Sequence, residues 1–211
     1  MSTKPKSTPK TALILVDRDG VLCKNDVEGI TSVSKFKLVP GIVESFRQLD
    51  KSNFRISVVT NQSYIALGRL SVSELDVMNH MLTEKVAEAG IGKDRFIIKV
   101  CPHGKDGSCD CRKPKIGLIE QSVSNFGLDP KNTRFYMVED KSASLKTLTN
   151  YYDAVLKPLG VSRSSITTIL INWEYGEQRE KYKDESLVSD YEVKSLLEAF
   201  TLIRKNEDNA R

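Results

Sequence analysis

Short apolar runs recur along the chain at ALILV (12 to 16), FRISVV (54 to 59), FIIKV (96 to 100), RFYMV (134 to 138) and TTILIN (167 to 172). Each is rich in β-branched or aromatic residues, which predicts strands buried on both faces. Between them the apolar positions follow a helical period: Ile42, Val43, Phe46 and Leu49, then Leu75, Met78, Leu82 and Val86, then Ile116, Ile119, Val123 and Phe126. These stripes are core faces of helices. Ser71 with Glu74 matches a capping box, and Gly90 and Gly127 stand where left-handed C-caps fall. Residues 143 to 166 read only as a helix and a connecting loop.

Strand and helix in alternation predict an α/β fold, a Rossmann-like doubly wound parallel sheet with helices on both faces. Ligands of such sheets bind beyond the carboxyl ends of the strands. That is where the polar clusters of this chain fall. The first run ends in Asp17-Arg18-Asp19-Gly20, the second in Thr60-Asn61-Gln62-Ser63, the third in a cysteine cluster followed by Arg112-Lys113-Pro114-Lys115, and the fourth in Glu139-Asp140.

Composition changes the picture little. A chain of 211 residues with 39% apolar content builds one core, so one domain is expected over 11 to 202, between a disordered basic tail (1 to 10) and a C-terminal tail (203 to 211). Lys4, Lys6 and Lys10 carry three charges of the net +4, which leaves the body nearly neutral and gives little support to a nucleic-acid partner. No apolar run is long enough for a membrane anchor or signal segment, so a cytoplasmic monomer acting on a small metabolite is expected.

Asp17 and Asp19 put two carboxylates on the same side of a strand unless a turn redirects the second, and like charges so close favour a bound cation or a shared proton. With Asp140, and Glu139 as a further candidate, they offer hard oxygens to Mg²⁺, which keeps waters that a phosphate can replace. An aspartate beside such a phosphate can attack phosphorus, and a second can protonate the leaving oxygen and later activate water. Lys113 and Thr60 would stabilise the phosphoryl oxygens. Cys101, His103, Cys109 and Cys111 offer three thiolates and an imidazole, which fill four tetrahedral positions and predict a structural Zn²⁺. A redox-active Cys109-x-Cys111 pair is the competing reading, but it leaves Cys101 and His103 unexplained. Cys23 reads as a small buried thiol and His80 as a surface or partly buried side chain in mid-helix.

DRDGV, TNQS, the lysine of RKPK and the acidic pair after the fourth strand resemble, in order, the four motifs of haloacid dehalogenase phosphatases. CPHGKDGSCDCRKPK resembles the zinc-loop branch that contains the heptose bisphosphate and histidinol-phosphate phosphatases. The resemblance runs from about residue 12 to 141. It implies a capless phosphatase with Asp17 as nucleophile and Asp19 as acid/base. It also implies Mg²⁺ on the Asp17 side chain, the Asp19 main-chain oxygen and Asp140, with Asn61, Gln62, Ser63 and Arg112 facing substrate.

Several positions depart from that pattern. Glu139 replaces a glycine of the fourth motif, Ser144 stands in place of a later aspartate, Tyr64 replaces a common glycine, and Leu67 stands where the heptose enzyme has arginine. The expected activity is hydrolysis of a small phosphorylated sugar or alcohol, of the heptose bisphosphate or histidinol phosphate type. A nucleic-acid 3′-end phosphatase and a catalytically silent binding homologue are the alternatives. The lack of an aromatic platform interleaved with basic residues weighs against the first, and the retained set Asp17, Asp19, Thr60, Lys113 and Asp140 against the second.

Overall fold

The computed structural model describes residues 11 to 51, 53 to 173 and 189 to 210. Six parallel strands run in the order β3-β2-β1-β4-β5-β6. They are β1 (Thr11–Val16), β2 (Phe54–Asn61), β3 (Phe96–Cys101), β4 (Thr133–Glu139), β5 (Ile166–Ile171) and β6 (Tyr191–Val193). The first five match the apolar runs to within one or two residues. The sixth is three residues long and half exposed, too short and polar to stand out from its pattern.

The strand order reverses between β1 and β4, so a crevice opens beyond their carboxyl ends. Their register pairs Val16 with Val138, which sets Asp17 beside Glu139 as the chain leaves the sheet. The helices are α1 (Ile42–Arg47), α2 (Val72–Glu88), α3 (Gly117–Asn125), α4 (Ser142–Tyr151) and α5 (Leu196–Asn209). Ser71 and Glu74 form the reciprocal capping box at the start of α2. Gly90 and Gly127 take left-handed conformations just beyond α2 and α3. The segment 143 to 166 resolves into most of α4, a π-helical turn over Tyr152–Leu156 and a 3-10 turn over Arg163–Ser165.

Two apolar layers sandwich the sheet. On one face Phe46 of α1 packs against Phe96 and Phe200, with ring centroids 6.2 and 5.3 Å away. On the other, Phe135 packs against Tyr151 of α4 at 5.3 Å. Truncating such a buried ring costs about 3–5 kcal/mol, so these contacts anchor the helices on the sheet.

The expected C-terminal tail is corrected. Residues 203 to 209 are the last turns of α5, with Ile203 and Glu207 buried. Glu207 accepts a hydrogen bond from the Tyr136 hydroxyl at 2.8 Å and forms an ion pair with Arg134 Nε at 2.9 Å. A glutamate near a polar C-terminus looks solvated in sequence, and only packing on β4 buries it. The expected basic tail lies outside the described residues. No helix among them is long and apolar enough to cross a membrane.

Candidate active site

The loop after β1 is shaped by its glycine. Gly20 has φ +89°, and a Cβ there would lie 2.1 Å from an Asp140 carboxylate oxygen and 2.5 Å from the Asn25 amide nitrogen. Only glycine lets Asp140 come this close to the chain. Asn25 donates to Asp140 Oδ2 at 2.7 Å, and the Trp173 indole donates to the Gly20 carbonyl at 2.7 Å. Neither partner stood out in the sequence, because each acts across a distance only the fold closes. Gly20→Ala is expected to cost about 1 kcal/mol or more in backbone strain. By displacing Asp140 it should also lower any phosphatase turnover roughly tenfold or more. Phosphate release together with a melting curve checks this, and full activity would show that Asp140 does not need its present position.

Asp17, Glu139 and Asp140 come together with carboxylate oxygens within 4.8 Å of one another. Lys113 reaches between them. Its Nζ lies 3.1 Å from Asp17 Oδ1 and 2.6 Å from Glu139 Oε1, and all three groups are buried. Burial opposes the charge on Lys113, yet the Asp17 and Glu139 carboxylates outweigh it and hold the pKa above the usual lysine value. Burial, and then the charge of Asp17, pushes Glu139 well above the usual carboxylate range against the pull of Lys113. Asp140 is raised as well, by burial first. Lys113 is the charged partner, since two carboxylates share it, and the excess negative charge falls on the remaining oxygens. Among the described residues, Glu139 Oε2 and Asp140 Oδ1 are buried without a hydrogen-bond partner. A buried carboxylate oxygen so placed is strongly disfavoured unless a cation meets it or the group takes up a proton, which is the direction in which both pKa values move.

Asp19 is not part of that group. Its carboxylate accepts from Arg18 Nε at 2.6 Å and Nη2 at 3.2 Å, and from Gln62 Nε2 at 3.0 Å. Burial would raise its pKa, but the Arg18 charge and these hydrogen bonds hold it below the usual aspartate value. Arg18 is itself buried, 5.4 Å from the centre of the Phe36 ring. Thr60 is buried beside this group and accepts from Gln62 at 2.8 Å, which leaves its hydroxyl hydrogen available to an incoming oxygen.

The four residues expected to face substrate divide. Asn61 spends its carboxamide on the main chain of Lys113, and Gln62, buried, spends its own on Asp19 and Thr60. Both carboxamides are engaged within the protein, because short polar side chains beside a site are drawn to the main-chain and carboxylate groups the fold brings within reach. Arg112 donates to the His103 carbonyl at 3.1 Å, and Ser63 is half-buried at the mouth. At the same mouth the Tyr64 ring lies over Gly29, where a Cβ would meet it at 2.2 Å, and Arg69 stacks 4.8 Å from its centre. Tyr64 therefore fills space over a glycine, and Leu67 beyond it is exposed.

The second cluster follows β3. Cys101 Sγ lies 3.8 Å from Cys109 Sγ and 3.6 Å from His103 Nδ1, and His103 Nδ1 lies 3.2 Å from Cys111 Sγ. Tetrahedral Zn²⁺ with ordinary bond lengths predicts edges of about 3.8 Å between sulfurs and about 3.5 Å between sulfur and nitrogen. The spacing fits that ion, and all four cysteines of the chain are free thiols. Burial, then hydrogen bonding with Cys101 and Cys109, pushes the Cys111 thiol up to about 12. Cys23 is buried, as expected, and His80 is exposed beside Glu84.

No family model matches the chain. The D-glycero-β-D-manno-heptose-1,7-bisphosphate 7-phosphatase of Pseudomonas aeruginosa is 37% identical over 118 residues, 56% of this chain and 65% of the relative. The enzyme of that name from Haemophilus influenzae is 34% identical over 139 residues, 63% of this chain and 73% of the relative. The chain thus spans about two thirds of the length of the curated relatives it matches. A solved D,D-heptose 1,7-bisphosphate phosphatase from B. bronchiseptica, complexed with magnesium and phosphate, superposes with a TM-score of 0.71 at 20% identity, covering 95% of this chain and all of that one. Strand order, crevice and carboxylate cluster define a protein with the haloacid dehalogenase-type fold. Within that class the chain belongs to the D-glycero-β-D-manno-heptose-1,7-bisphosphate 7-phosphatase family.

Proposed function

We propose that this chain is a Mg²⁺-dependent phosphomonoester hydrolase that works through an aspartyl-phosphate on Asp17. Its substrate is a small phosphorylated sugar of the heptose bisphosphate type. The observation that carries this reading is Lys113 Nζ held between Asp17 and Glu139, beside two buried carboxylate oxygens without partners. The names of the relatives favour heptose bisphosphate over histidinol phosphate.

Asp17, Asp140 and the Asp19 main-chain oxygen would hold Mg²⁺, and Glu139 Oε2 would join them. Bound there, the ion acts as a Lewis acid on the phosphoryl oxygens. The chain does the rest. An Asp17 oxygen forms a bond to phosphorus as the ester P–O bond breaks, and Asp19 gives the leaving oxygen a proton. Asp19 then takes a proton from water as the water oxygen bonds to phosphorus and the Asp17–phosphorus bond breaks. Lys113 and the Thr60 hydroxyl stabilise the charge that develops on the phosphoryl oxygens. In its present setting Asp19 is held as a carboxylate by Arg18 and Gln62, so to act as the acid it first takes up a proton from solvent once the substrate draws it from that pair. Cys101, His103, Cys109 and Cys111 would hold a structural Zn²⁺ with no open position.

The test is Mg²⁺-dependent phosphate release from heptose bisphosphate, histidinol phosphate, other sugar phosphates and an oligonucleotide 3′-phosphate. Preference for the heptose is expected. Preference for the oligonucleotide would move the reading to end processing, and no release from any would favour a silent binding protein. Glu139→Gln should raise the half-saturating Mg²⁺ several-fold, because the site loses a negative charge from the cluster that faces the ion. A Mg²⁺ titration of activity checks this, and an unchanged requirement would place Glu139 outside the ion's reach.

A further inference from the structure

Lys113 sits on a turn rather than on a strand or helix, yet its ammonium is held within hydrogen-bond distance of two carboxylates. A turn needs outside support to place a side chain so closely. Asn61, the last residue of β2, provides it. Its amide nitrogen donates to the Lys113 carbonyl at 3.1 Å, and its amide oxygen accepts from the Lys113 N–H at 3.0 Å. A carboxamide has the same donor and acceptor as a peptide group, so Asn61 acts as a surrogate strand neighbour for this one residue. On the far side Asn150, in the last turn of α4, donates to the Pro114 carbonyl at 2.9 Å. Within the turn, the Lys115 N–H closes on the Arg112 carbonyl at 2.8 Å.

We infer that Asn61 and Asn150 are positioning residues that act through Lys113, with Asn61 the principal clamp, and that Asn61 does not recognise substrate. Both main-chain polar groups of the residue that carries the reacting cation are bound by one side chain from a neighbouring strand. Asn150 fastens the next carbonyl from a different layer of the fold. The inference rests on the proposed phosphatase reading for its catalytic consequence, but not for the clamp itself.

The experiment compares wild type, Asn61→Ala and Asn150→Ala, each with and without Lys113→Met, using p-nitrophenyl phosphate at saturating Mg²⁺. A displaced catalytic group can lose up to about a hundredfold in rate, so Asn61→Ala should lower kcat roughly thirtyfold and Asn150→Ala roughly threefold, with KM little changed. In the Lys113→Met background Asn61→Ala should lower the remaining rate by no more than about twofold, because the group it positions is gone. Amide hydrogen exchange, which needs no substrate, should rise at least about tenfold at Lys113 in Asn61→Ala while the β1 and β4 amides keep their protection. A raised KM with unchanged kcat, or an equal loss in both backgrounds, would overturn the inference in favour of direct substrate contact. Unchanged exchange at Lys113 would overturn it whether or not the protein hydrolyses phosphate. A wild type inactive on every phosphomonoester, with the exchange result as expected, would instead sink the phosphatase reading and leave the clamp standing.

Discussion

Asp17→Asn is expected to reduce phosphate release by about a thousandfold or more, because the neutral amide is a poor nucleophile toward phosphorus. The fold should survive. The side-chain oxygen that accepts from the Arg18 N–H at 2.7 Å remains in the amide, and Lys113 keeps its shorter contact with Glu139. Loss of one charge from a crowded acidic cluster also offsets the loss of one partner for Lys113. Phosphate release at saturating Mg²⁺, read beside circular dichroism and a melting curve, separates chemistry from folding. Turnover near that of wild type would mean that another group attacks phosphorus.

Cys109→Ser or Cys111→Ser should abolish binding of one Zn²⁺ per chain and make the segment from 101 to 111 protease-sensitive, since that segment has no apolar core of its own. Structural zinc is worth about 10–16 kcal/mol to small zinc peptides, and a loop tethered to a folded domain keeps part of that dependence. The damage should reach the active site. The Lys115 ammonium donates to the Cys109 carbonyl, and the Gly117 N–H donates to the Asp110 carbonyl at 3.0 Å. These contacts flank Lys113 on both sides. Activity at saturating Mg²⁺ should therefore fall roughly tenfold or more with the loss of zinc. Metal analysis, limited proteolysis and phosphate release on the same preparations check the chain of effects. Protein purified without chelators that holds no zinc would remove the premise.

The site was legible in sequence wherever a residue's role follows from its own chemistry and its place after a strand. Asp17, Asp19, Thr60, Lys113 and Asp140 stand out as candidates because each polar cluster ends an apolar run, and parallel strands bring such ends to one edge. The cluster of Cys101, His103, Cys109 and Cys111 was legible because four candidate ligands within eleven residues can converge without help from the rest of the fold. The internal partners of Asn61 and Gln62 were not legible, because a carboxamide beside a polar cluster suits substrate and protein equally well. Distance alone decides, and those distances depend on how the 112 to 115 turn seats against β2.

The sequence by itself determined the first five strands, the first three helices, the parallel α/β class and the candidate chemistry, because hydrophobic period and capping are local properties of adjacent residues. Only the tertiary structure decided which charges meet. The pairing of Val16 with Val138 sets Asp17 beside Glu139, and the turn held by Asn61 and Asn150 brings Lys113 between them. Gly20 admits Asp140 to the same cluster, and α5 folds back to bury Glu207 on Tyr136. Each of these contacts joins segments tens of residues apart. Its energy depends on separations of a few ångströms, which sheet register and helix packing set and no local pattern encodes.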